Sequence, residues 1–181
     1  MTHQTQLPVE ATFNITKQPM DAWVTHKLTK DTPWVAELLK EMNENGTTKT
    51  PEQWLQETNL DIELKWIKHF KGEMGEYLLV KMELHSFYAT ECVTTLTPMR
   101  MALDFSVSAA FVSEKIAESE EYKETSEIWL NGETWELYTH KRNMVELSEM
   151  IHEQIYLNYD YYPRIDAAPS IEMPLAPDEE Q

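Results

Sequence analysis

The stretch "MRMALDFSVSAAF", Met99 to Phe111, alternates without a miss. Met99, Met101, Leu103, Phe105, Val107, Ala109 and Phe111 fall on one face, and Arg100, Asp104, Ser106 and Ser108 on the other. Period-two alternation of this length marks a strand with one face in a core and one in water. Working back, "LDIELKW" repeats the pattern, with Leu60, Ile62, Leu64 and Trp66 set against Asp61, Glu63 and Lys65. "KGEMG" then offers Gly72 and Gly75 for a turn, and the next run aligns Leu78, Val80, Met82 and Leu84. Working forward, "EIWLNGETWELY" contains the Asn131-Gly132 pair that suits a two-residue hairpin turn. Near the start of the chain "ATFNIT" alternates loosely through Ala11, Phe13 and Ile15, and Pro19 limits any strand there.

Helical grammar flanks these runs. In "DTPWVAELLKEMNENG", Asp31 or Thr32 serves as cap, Pro33 fits the first turn and Asn45-Gly46 supplies a stop. Thr50 and Pro51 open a shorter helix at "EQWLQET". Asn143 is placed to cap a last helix, "MVELSEMIHEQIYLN", whose Met144, Leu147, Ile151 and Ile155 lie at helical spacing. Together these signals predict an α+β fold, an antiparallel sheet of about five or six strands packed against two to three helices. The expected domain spans residues 1–165. Within it "SEKIAESEEYKETSE", residues 113–127, carries six acids against two lysines and reads as a mobile acidic loop with no apolar face. Residues 166–181, with five acids, three prolines and no base, read as a disordered acidic tail.

Composition narrows the function. Apolar residues make up 41% of the 181, with six Trp and eight Tyr, so the chain is expected to fold around a real core. Four glycines leave no room for a glycine-rich phosphate loop, and no such motif occurs. One cysteine makes no internal disulfide. The opening "MTHQTQLPVEATF" lacks a basic and apolar leader, which leaves the reducing cytoplasm as the expected compartment. No apolar run approaches the roughly 18 residues of a membrane span. The net charge of −17 opposes binding mainly through nucleic-acid phosphates; it reads as plain solubility or, more sharply, as suited to a basic protein partner steered in by opposite charge.

Catalytic and metal signals are weak. None of the six histidines pairs at helical spacing, and "HEQIY" at His152 holds Tyr156 where a zincin helix needs its second histidine. No neighbour in sequence is expected to lower the Cys92 thiol pKa, and Glu91 would raise it. The expectation is a protein without cofactor, metal or catalytic residues. For nucleic acid, Lys65, Lys68, Lys71, Lys81 and Arg100 lie on or near the predicted hairpin strands, among Trp66, Phe70 and Tyr77. Such a set could hold single-stranded RNA by stacking and phosphate contact, or be ordinary solvated charge beside core rings. The run "YLNYDYYP" reads as a closure of the core, with Tyr161 and Tyr162 as candidate contacts if exposed.

Two segments together resemble the YceD family, proteins associated with accumulation of large-subunit ribosomal RNA. "ECVTTLTPMRMALDFSVSAAFV" looks like that family's C-x-R-C-L-x-P segment followed by an alternating strand, and "MVELSEMIHEQIYLNYDYYP" is similar to its later helix. Cys92, Leu96 and Pro98 match in the first segment; Leu147, Gln154, Leu157 and Pro163 match in the second. Thr94 stands where the family usually has arginine, Thr95 and Asp166 where it has further cysteines, and Glu146 where it has aspartate. No thiol pair or cysteine-held metal is therefore carried over. The likeness spans roughly residues 58–165. It implies a cytoplasmic, non-enzymatic factor in large ribosomal subunit biogenesis, acting on 23S rRNA accumulation by binding a basic ribosomal protein, a pre-50S particle or rRNA through a local basic patch. The alternatives are a generic acidic protein–protein interaction module, or an enzyme using Cys92 or a carboxylate cluster.

Overall fold

In the computed structural model the described residues are 9–44 and 51–165. The Asn45-Gly46 stop, the Thr50 cap and the tail from residue 166 lie outside them. The three alternating runs form long strands: β3 (Asn59–Lys71), β4 (Gly75–Glu91) and β5 (Pro98–Ser113). They pair as an antiparallel meander in which Lys71 faces Gly75 and Glu91 faces Pro98. Gly72 (φ 39°) and Gly75 (φ 74°) make the first turn, at backbone angles that a Cβ disfavours. The strand β2 (Val24–Leu28) adds to β3, and the hairpin β6 (Glu127–Leu130) and β7 (Glu133–His140) adds beyond β5. Asn131 (φ 53°) and Gly132 (φ 85°) form the expected hairpin turn.

The six-stranded order is β2-β3-β4-β5-β7-β6, and the fold is α+β as expected. One joint departs from the antiparallel pattern, because β5 and β7 run parallel. A parallel pair needs a long connection, and the chain from Glu114 to Gly132, which carries β6 on its way, supplies one.

The inner face of the sheet carries Leu60, Ile62, Leu64, Trp66, Leu78, Val80, Met82 and Leu84, all buried, together with Leu103, Val107, Ala109 and Phe111 from β5. Each such side chain contributes roughly 1.5–3 kcal/mol when fully buried. This face is covered by helix α1 (Pro33–Glu44), by helix α4 (Leu147–Asn158) and by the two-stranded sheet of β1 (Thr12–Asn14) with β8 (Met144–Glu146). Helix α1 begins at Pro33, with the Thr32 carbonyl accepting the Ala36 N–H at 3.0 Å. Helix α2 (Glu52–Glu57) starts one residue later than its sequence suggests, with Pro51 as its N-cap.

Two expectations are corrected. Asn143 does not cap the last helix. It lies at φ 64° beside Arg142 at φ 49°, in a tight turn that brings Lys141 opposite Met144. Met144 therefore belongs to β8, and α4 begins at Leu147 behind Glu146. Asparagine serves both roles because its short amide tolerates the left-handed region and also caps helices. The acidic segment, in turn, does have an apolar side. It forms helix α3 (Glu114–Ala117), and Ile116, Ala117 and Tyr122 pack on a second core of Ile67, Tyr77, Leu79, Ala110, Val112, Ile128, Leu130 and Trp135. That core lies on the outer face of the sheet, so "YLLV" (Tyr77–Val80) and "AAFV" (Ala109–Val112) are buried on both sides.

Candidate functional site

The rest of the outer face is wet, and it holds most of the basic residues singled out above. Lys65 and Lys81 are direct cross-strand neighbours. Lys81 is neutralised by Glu133 at 2.9 Å and lies over the Trp135 ring at 5.2 Å. Arg100 is paired with Glu57 and stacked over Trp54 at 5.2 Å. Between these cations Glu63 faces Glu83 across the strands, and Asp104 holds His85 at 2.8 Å. Arg100 pairs with Ala89, eight positions along β4 from Lys81 and so about 27 Å away at roughly 3.4 Å per residue. Lys71 is exposed at the far end of β3. Acidic groups therefore interrupt the basic set along its length.

Lys68 is a correction. It points to the inner face, is only 4% exposed, and donates to the Thr16 carbonyl at 3.3 Å and to Glu76 at 3.4 Å. A lysine held in this way cannot meet a phosphate on the wet face. Trp66 and Tyr77 are buried as well, which leaves Phe70 as the exposed ring of that set.

The turn from β4 to β5 is built around Cys92. Its N–H donates to the Thr97 carbonyl (2.9 Å), and its carbonyl accepts from Leu96 N–H (2.8 Å), with Leu96 at φ 54°. Cys92 is 2% exposed, a small buried side chain. Its environment differs from the one expected. The Thr95 hydroxyl and the backbone N–H groups of Ile165, Thr95 and Thr94 are directed at the sulfur, and they hold its pKa at about 6 against an ordinary 9.0. Hydrogen bonds to the charged form favour ionisation. An acid whose folded pKa is depressed stabilises the fold as the anion. This contribution is complete above about pH 9 and is lost as the pH falls through about 6. Thr95→Val is expected to move the thiolate absorbance transition upward by about one pH unit, in keeping with the loss of one charge-assisted hydrogen bond. An unmoved transition would show that the hydroxyl does not reach the sulfur.

The same turn meets the stretch that follows α4: Val93 N–H donates to the Pro163 carbonyl at 3.0 Å. Of the later residues set apart in the sequence, Leu147 and Gln154 are buried on the inner side of α4 and Pro163 is buried beyond it, while Leu157 is exposed. Leu96, at 54% exposure, and Tyr162, at 77%, stand out into solvent, and Tyr161 packs against Tyr156 and Tyr159. Pro98 opens β5. Gln154 has a role that no sequence signal announced. Its amide donates to the Glu136 carboxylate at 2.5 Å and to the Tyr138 hydroxyl at 2.9 Å. Burial, together with the charges of Glu153 and Glu127, pushes the Glu136 carboxyl pKa up.

Among the described residues, no three His, Cys, Asp or Glu side chains converge in a way that could hold a metal ion. No helix among them is long and apolar enough to cross a membrane. The chain matches no known family model, no curated protein and no solved structure.

Proposed function

We propose that the chain is a non-enzymatic cytoplasmic binding factor in large ribosomal subunit biogenesis, and that its direct partner is a basic ribosomal protein. The observation that carries the choice of partner is the charge pattern. The chain stands at −17, and on the exposed sheet face Lys27, Lys81 and Arg100 are each paired with a carboxylate while Lys68 is buried. A phosphate backbone needs a positive surface, whereas a basic protein is steered in by a negative one. The ribosomal part of the reading rests on the likeness to the YceD proteins. The contact of Val93 with Pro163 supports it, since it joins the two stretches that carry the likeness.

Affinity capture of the chain from its own cells at low salt, with and without ribonuclease, tests this. The expected result is recovery of pre-50S particles or a basic ribosomal protein that survives ribonuclease. That association is expected to weaken about tenfold as salt rises from roughly 50 to 300 mM, because exposed charge pairs are screened. Recovery that ribonuclease abolishes would move the contact to rRNA. Recovery of neither class would sink the reading.

A further inference from the structure

A groove of about 580 Å³ runs between helix α4 and strands β6 and β7. Glu127 from β6, Glu136 from β7 and Glu153 from α4 line it, with no lysine, arginine or histidine among the lining residues. Several surface carboxylates do have counter-ions: Glu57 has Arg100, Glu63 has Lys27, Asp104 has His85 and Glu133 has Lys81. The three in the groove belong to no ion pair among the described residues. Burial first, and then the charges of Glu153 and Glu127, raise the pKa of Glu136, which Gln154 fixes in place by hydrogen bond. An arriving cation would relieve the repulsion among these charges, and the groove's partial dryness would strengthen the attraction.

The rim suits an extended chain. Strand β6 ends the sheet order, with no further strand beside it among the described residues. An open edge offers backbone donors and acceptors to an added segment. Trp129, two residues from Glu127 and so on the same face of β6, is 67% exposed, and Leu157 on α4 is 67% exposed. We propose that this groove is the docking site for an extended, Lys/Arg-bearing segment of a protein partner. Its cations sit among Glu127, Glu136 and Glu153, and its apolar side chains rest on Trp129 and Leu157. The charge argues for this occupant, because three unpaired carboxylates repel RNA and also repel a second copy of a chain at −17. The inference rests on the basic-partner reading above and gives that partner an address.

The test uses the full chain and a labelled synthetic peptide alternating arginine with valine, followed by anisotropy at low salt. Glu127→Gln/Glu136→Gln/Glu153→Gln is compared with Asp61→Asn/Glu83→Gln/Asp104→Asn, which changes net charge equally on the wet face. The groove variant is expected to weaken binding about tenfold or more and the control less than about threefold, since only close pairs are lost on dissociation. Trp129→Ala is expected to weaken it about threefold, and tryptophan fluorescence of the parent chain to shift on binding. If the triple variant melts early, the exposed Glu153→Gln and Trp129→Ala changes carry the comparison alone. Equal loss in both triple variants would overturn the site while leaving the basic-partner reading intact. No binding by the parent chain would overturn both. A dimer in sedimentation that only the groove variant breaks would make the occupant a second copy and overturn the proposal.

Discussion

Phe111→Ala is expected to destabilise the chain by roughly 3–5 kcal/mol, the range for removing a buried aromatic ring and leaving a cavity. Phe111 is 2% exposed, lies beside Leu78 on β4 and Tyr138 on β7, and has its ring centroid 5.3 Å from that of Tyr138. Its chain neighbours Ala110 and Val112 face the second core, so the strand has packed partners on both sides and little freedom to close the gap. At roughly 2–4 °C per kcal/mol, the melting temperature should fall by about 10 °C. Phe87→Ala is the contrast: this ring is 56% exposed on the wet face, and its loss should stay within about 0.5 kcal/mol. Urea melts of the two variants decide the matter. A cost below about 1 kcal/mol for Phe111→Ala would mean that the sheet is not packed on both faces there.

Lys68→Ala is expected to cost about 2–3 kcal/mol, below the roughly 3–5 kcal/mol for breaking a fully buried ion pair. The figure is low because Glu76 keeps 30% of its side chain in water and regains part of its hydration. The double change Lys68→Met/Glu76→Gln removes both charges while keeping the volume, and should return stability to within about 1 kcal/mol of the parent. A loss under about 0.5 kcal/mol for Lys68→Ala would place this pair with ordinary surface pairs. The substitution also separates stability from binding, since a buried lysine has no direct contact with RNA to lose.

The sheet was legible because its strands are long and mostly wet on one side. Every alternating residue from Leu60 to Trp66 and from Leu78 to Leu84 points inward as its parity dictates. Lys68 obeys the same parity, so its burial was present in the pattern. Grouping basic residues by closeness along the chain, rather than by face, hid it. The second core was hidden for a different reason. Where "AAFV" and "YLLV" run continuously apolar, alternation stops carrying information, and a strand buried on both sides looks like imperfect alternation. Its cover, Ile116, Ala117 and Tyr122, is diluted by acids that point outward. The parallel joint followed from that cover and could not be read before it. The groove was out of reach too, because Glu127, Glu136 and Glu153 come from three elements and meet only once β7 turns back beside β5.

The pairing of β1 with β8 sets an order of events during synthesis. Thr12 lies opposite Glu146 and Phe13 opposite Val145, so β1 waits for a partner made more than a hundred residues later. The meander from β3 to β5 closes through neighbouring turns and can assemble while later residues are still emerging. Phe13 and Ile15, both buried, have no finished site until Val145 arrives. Closing so long a loop is slow, because its entropy is lost before its contacts form. Strand β1 thus works as a latch, fastened only once β8 has been made, and a chain cut short before β8 would leave it open.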